Sequence, residues 1–183
     1  MRARVIILLA VVFSLPLWAA ANAYSQDLTL FLGGAKPGGI GSAGQRTDLE
    51  SGFVWGFRVG FGFASVLGFE HTVAFSPDYL HPKRQPAVQD AKGFIYSANF
   101  ILNIPAGRIV PYGTFGLGLI WQYGDKNLPV GAEFAINYGG GVKAPQLWGP
   151  FGLRVDARGY TVPSVLSTKL NIFELSGGLM ISF

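Results

Sequence analysis

Phe53-Val54-Trp55-Gly56-Phe57-Arg58-Val59-Gly60-Phe61-Gly62-Phe63 alternates without a break. The odd positions carry Phe, Trp, Phe, Val, Phe and Phe, and the even positions carry Val, Gly, Arg, Gly and Gly. Successive side chains of a β-strand point to opposite faces. The segment therefore has one broad apolar face and one face that is small or charged. A second stretch repeats the pattern, with Phe151, Leu153, Val155 and Ala157 on one face and Gly152, Arg154, Asp156 and Arg158 on the other.

Working outward from these two, weaker copies of the alternation predict strands at 26–34, 52–64, 66–76, 93–104, 110–122, 133–143, 150–161 and 170–183. Each is close to the ~9–11 residues that a tilted strand needs to cross a bilayer. An even number of strands lets an antiparallel sheet close with both ends on one side. The connections around Ser65, at 105–109 and at 144–149 are short, whereas 35–51, 77–92, 123–132 and 162–169 are longer and rich in Gly, Pro, Asp and Lys. Short periplasmic turns and long external loops are the asymmetry of outer-membrane barrels, which would place both ends of the mature chain in the periplasm.

The N-terminus is a separate matter. Arg2 and Arg4 precede an apolar stretch, Val5 to Leu17, and Ala21-Asn22-Ala23 has the small-x-small form of a signal peptidase site. A stretch of thirteen residues falls short of the ~20 needed for a membrane-crossing helix. Residues 1–23 thus read as a cleaved signal peptide and 24–183 as one barrel domain, with no room for a second. Removing Arg2 and Arg4 leaves 12 basic residues against 10 acidic ones, so part of the high pI belongs to the leader. No basic cluster suggests nucleic acid. The absence of cysteine excludes a lipoprotein, a disulfide framework and thiolate chemistry.

Eight alternating strands also fit a soluble barrel around an apolar ligand, and the two faces separate the readings. Half of the residues are apolar and 13% are charged, yet no long apolar run follows Tyr24. An eight-stranded barrel leaves an interior just wide enough for side chains to fill. Glycines and paired charges fit there, and a ring of Phe and Trp does not. The aromatics belong outside, where lipid accepts so large an apolar surface. The expected fold is all-β, an eight-stranded antiparallel up-and-down transmembrane barrel.

The last strand agrees, because Leu175, Gly177, Leu179, Ile181 and Phe183 alternate and stop on an aromatic. With Val110-Pro111-Tyr112-Gly113-Thr114-Phe115-Gly116 and Leu153-Arg154-Val155-Asp156-Ala157-Arg158, this segment resembles the small eight-stranded outer-membrane barrels of the OmpA/OmpX-like superfamily along nearly the whole mature chain. The resemblance is one of pattern, so it implies architecture and location in the bacterial cell outer membrane, among outer-membrane lipid. It also implies that Leu179, Ile181 and Phe183 form the signal presented to the barrel-assembly machinery. Members of that superfamily have many roles. No peptidoglycan-binding domain follows the barrel, so the tethering role of longer relatives is not implied.

By parity the lumen receives Arg58, Glu70, Asn99, Glu133, Asn137, Lys143, Arg154, Asp156, Arg158 and Glu174. A hairpin register centred within 161–169 sets Asp156 opposite Glu174, with Arg154 and Arg158 diagonal to it. Arg58 and Glu70 stand diagonally about Ser65, within reach of long side chains. Buried charges are costly unless paired, so Arg58, Glu70, Arg154, Asp156, Arg158 and Glu174 read as a salt-bridge plug. A charged constriction selecting a solute and a catalytic carboxylate are the competing readings.

Catalysis finds little support. His71 shares its parity with outward Phe69 and Val73, and the Thr72–Ser76 segment after it does not match the His/Ser spacing of lipid A deacylases. Neither histidine has a second one at metal-ligand spacing, and the Gly-Gly pairs follow no phosphate-loop motif, so no metal or cofactor is expected. The leading expectation is a non-enzymatic barrel with a structural or surface-interaction role, its external loops meeting a surface ligand that the sequence does not name. A narrow porin-like pore and an envelope lipid-modifying enzyme stand behind it.

Overall fold

The computed structural model describes residues 25–38, 40–42, 45–80, 90–125, 128, 130–165 and 168–183. The expected leader, residues 1–23, lies outside them. The strands are β1 (Ser25–Pro37), β2 (Ile40–Ser42), β3 (Gln45–Thr47), β4 (Gly52–Gly62), β5 (Leu67–Ser76), β6 (Ala91–Asn103), β7 (Val110–Gly124), β8 (Ala132–Trp148), β9 (Phe151–Val165) and β10 (Thr168–Ser182). Eight of them close into an antiparallel barrel in the order β1-β10-β9-β8-β7-β6-β5-β4, with β4 returning to β1. Closure leaves no unpaired edge around the wall, which is what a sheet in hydrocarbon requires. The last rung is set by the chain ends: Gln26 N–H donates to Phe183 O and Phe183 N–H donates to Gln26 O, each at 3.0 Å.

The alternation becomes two surfaces. Leu32, Phe57, Phe100, Phe115, Val155 and Leu179 face outward and are exposed, while Val54, Arg58, Ile120, Arg154 and Met180 on the opposite parity are buried. A contiguous apolar band around the whole wall far exceeds the few hundred Å² that a soluble monomer tolerates. Lipid is the medium that fits it.

The short turns share one end with Ser25 and Phe183. They are residues 63–66, 104–109 and 149–150. Gly107 (φ 69°) and Gly149 (φ 63°) occupy the left-handed conformation that lets the chain reverse so tightly.

Three connections differ from the sequence expectation. The segment 35–51 is not all loop, because β1 runs on to Pro37 and the small β2–β3 hairpin follows it. The segment 144–149 is largely strand, with a bulge between Ala144 and Trp148 and Gln146 at φ 53°. The segment 162–169 is not a loop either: β9 continues to Val165 and β10 starts at Thr168. Val162, Val165 and Leu170 are buried, which gives this end of the hairpin an apolar inner face worth ordering. Pro163, without an N–H, sits where the β9–β10 pairing shifts register, a position that tolerates it.

Candidate functional site

The extended hairpin changes the partners expected in the lumen. Glu174 stands opposite Arg158, and Asp156 opposite Ser176. The expected register, with Asp156 opposite Glu174, is therefore displaced by two residues, because the turn lies closer to the C-terminus. Parity survives a shift of two, so every inward residue stays inward. Around the 63–66 turn, Arg58 faces Thr72 and Glu70 faces Gly60, which keeps Arg58 and Glu70 diagonal.

The ion pairs nonetheless do not form along the hairpins. They run between strands that are not neighbours, or along β9 itself. Arg58 of β4 donates through Nη2 to Glu174 Oε1 of β10 at 2.7 Å and through Nη1 to Asp156 Oδ2 of β9 at 3.3 Å. Glu70 of β5 meets Arg154 Nη1 and Arg158 Nη2 of β9, both at 2.5 Å. Strands β5 and β9 are four places apart in the closed order of eight, diametrically opposite. The long guanidinium arms span the lumen and meet Glu70 directly.

Asp156 is the hub. Arg154 approaches it through Nε and Nη2, both at 3.1 Å, and Arg158 through Nη2 at 3.0 Å. The Tyr112 hydroxyl also donates to it. Glu174 accepts in addition from Tyr160 Oη and Ser176 Oγ, each at 2.9 Å. The Arg58 guanidinium lies 3.6 Å from the centre of the Phe31 ring. Three guanidinium groups and three carboxylates cancel, and all six side chains are at most 1% exposed. Such a set is tolerable in a low-dielectric interior only because each charge meets at least one of the opposite sign, and all but Glu174 meet two or more.

Of the other residues assigned inward, Asn99 and Asn137 are fully buried, Lys143 is 7% exposed and Glu133 lies half-buried near the loop end. Lys143 Nζ donates to Asp27 Oδ2 at 2.9 Å, a partner the sequence reading missed. This pair borders a vestibule of about 420 Å³ that opens at the turn end, lined by Ser25, Gly62, Asn103 and Phe183 among others.

Two further features escaped the sequence. First, Phe31, Tyr112 and Tyr160 point inward, against the expectation that the aromatics lie outside. Their parity with Thr29, Thr114 and Arg158 was the available signal. Second, the lumen above the charges is apolar rather than glycine-lined. Val54, Ala74, Ile95, Ile120, Val162 and Leu170 form one cluster there, and Leu49, Tyr79, Leu80 and Val130 close it from the connections.

Tyr79 and Leu80 turn back into the mouth, with Leu80 in the left-handed region at φ 56°. The Tyr79 ring occupies the space where a side chain at Gly93 would lie. Gln122, 2% exposed, secures the arrangement: its Nε2 donates to Tyr79 O at 2.8 Å and its Oε1 accepts from Val130 N–H at 3.1 Å. Burial, with the nearby Glu174 charge second, pushes the Tyr79 phenol far above its ordinary pKa, so it stays protonated.

His71 faces outward, with Nδ1 2.8 Å from Tyr96 Oη. Among the described residues no group of three His, Cys, Asp or Glu side chains could hold a metal. Leu179 and Phe183, of the expected assembly signal, are exposed on the lipid face, and Ile181 is partly covered.

No curated protein matches the sequence. Solved structures do match the fold. Neisserial surface protein A superposes with a TM-score of 0.65 at 19% identity, covering 86% of this chain and 97% of that one. OprG from Pseudomonas aeruginosa gives 0.65 at 11% identity, covering 88% and 97%. The N-terminal β-barrel domain of Pseudomonas aeruginosa OprF gives 0.54 at 15% identity, covering 87% and 98%. A family model, the outer membrane protein beta-barrel domain, matches residues 5–179. With its closed wall, lipid-facing apolar band and charge-filled lumen, the chain belongs to the outer membrane protein beta-barrel domain family and is an integral protein of the bacterial outer membrane.

Proposed function

We propose that this barrel is a closed, non-enzymatic scaffold that presents its three long connections and the extended β9–β10 hairpin to the exterior, where they meet a surface ligand, while its lumen carries no solute. The neutral cross-lumen network carries this reading. Three arginines and three carboxylates from β4, β5, β9 and β10 interlock at 2.5–3.3 Å, with Glu70 reaching Arg154 and Arg158 from the opposite wall. An ion entering the lumen would have to break several of these contacts at once. The apolar stopper above them supplies a second barrier of a different kind, since a bare ion gains nothing among Val, Ile and Leu side chains. On this reading residues 1–23 are removed on export, and residues 24–183 fold in the membrane after the terminal strand, with Leu179, Ile181 and Phe183, engages the assembly machinery.

The test is conductance of the refolded barrel in a planar bilayer. Silence at moderate voltage is expected. Stable single-channel steps in the unmodified protein would replace the scaffold with a narrow porin-like pore.

A further inference from the structure

A groove of about 460 Å³ runs along the outer face of β8, β9 and β10 toward the loop end. Tyr138 lies across Gly159 on one side of it, and Phe173, half exposed, forms the other. Lys36, directly opposite Phe173 in the β1–β10 register, stands at its rim with Pro37 and Gly38.

The polar groups here are nearly all donors. Thr161 Oγ1 donates to Asn171 Oδ1 at 2.8 Å, which occupies the amide oxygen and leaves Asn171 Nδ2 to donate. The Tyr138 hydroxyl is 3.4 Å from the same Thr161 oxygen. Lys169 is exposed two residues before Asn171 on β10. No outward-facing residue of the described barrel strands is Asp or Glu. The third lysine of the barrel strands at this end, Lys92, is paired with Asp90 at 2.9 Å. Neither Lys36 nor Lys169 has a carboxylate partner among the described residues. One unpaired cation, an amide N–H₂ and a phenol thus border an apolar groove on a surface otherwise given to lipid, and a second unpaired cation, Lys169, stands two residues beyond it on the same outward face of β10.

We propose that this groove binds a phosphate-bearing glycolipid of the outer leaflet, its phosphate on Lys36, Lys169 and Asn171 and an acyl chain between Tyr138 and Phe173. Charge complementarity selects this occupant. A zwitterionic phospholipid would also need an acceptor for its ammonium group, and the groove offers no carboxylate. The assignment to the outer leaflet rests on the loops facing outward.

The test titrates the refolded full barrel, in detergent, with diphosphorylated lipid A, its dephosphorylated form, phosphatidylethanolamine and phosphatidylglycerol, reading bound lipid by native mass spectrometry. Diphosphorylated lipid A should bind most tightly. K36S/K169S should weaken it roughly thirtyfold, since each cation near such a headgroup contributes about fivefold, and N171L should weaken it further. K92S, at a lysine already paired, is the control and should bind as the parent does. Heat-modifiable mobility on gels confirms that each variant is folded. Equal binding of the dephosphorylated form, or an unchanged affinity in K36S/K169S, overturns the proposal. A lysine-dependent preference for phosphatidylglycerol overturns the glycolipid assignment, and orientation is read separately by the cysteine labelling described below.

Discussion

Glu70→Gln isolates charge from volume in the lumen. The side chain keeps its shape, but Arg154 and Arg158 lose the carboxylate that each meets at 2.5 Å. The network passes from three charges of each sign to a net excess of one positive charge in a site at most 1% exposed. Asp156 remains, but it already serves Arg58, Arg154 and Arg158. Leaving a buried charge without its partner costs about 3–5 kcal/mol. With a urea slope of about 2 kcal/mol per molar, that lowers the unfolding midpoint of the refolded barrel by roughly 2 M. Outward Leu175→Ala removes lipid-facing surface only and should leave the bilayer conductance silent. The decisive variant is Glu70→Gln with Arg158→Met. It restores neutrality, with Arg58 and Arg154 against Asp156 and Glu174, and should recover much of the lost midpoint. A parental midpoint for Glu70→Gln, or no recovery in the double variant, would refute the view that mutual compensation holds these charges in place.

Three further outcomes are expected. Single cysteines at Glu50 and Asp78 should react with an impermeant thiol reagent on intact cells, whereas one at Ala106 should react only after the outer membrane is opened; the reverse pattern inverts the orientation. Deleting Phe183 removes the rung it shares with Gln26 and the terminal aromatic, so export should continue while heat-modifiable barrel in the outer membrane declines, and undiminished folding would make Phe183 an ordinary strand residue. Gln122→Leu strips the hydrogen bonds that join Tyr79 to Val130; losing such buried bonds costs about 1–3 kcal/mol, and amide exchange at Val130 should quicken while exchange at Ile95, mid-strand in β6, stays slow.

The parity of each strand was legible in the sequence because a period of two is a local property. Phe53 to Phe63 and Phe151 to Arg158 assign their faces without reference to any other part of the chain, and the narrowness of an eight-stranded barrel then decides which face meets lipid. The closed all-β wall, the membrane setting and the inward side of Arg58, Glu70, Arg154, Asp156, Arg158 and Glu174 all follow from that one pattern. Partnership is not local. Nothing near Glu70 in the chain points to Arg154 and Arg158, more than eighty residues away, because the pairing depends on the closed strand order that sets β5 across from β9. The turn of the last hairpin was equally hidden: Pro163 and Ser164 read as loop, and only the burial of Val162, Val165 and Leu170 against the apolar cluster shows why the strands continue. Tyr79 and Leu80, in a connection with no period at all, became a stopper because Gly93 leaves room for a ring and Gln122 supplies its hydrogen bonds. The local alternation specified which way each strand residue faces, whereas the closing of the barrel decided what it touches, since only closure brings opposite walls within reach of one side chain.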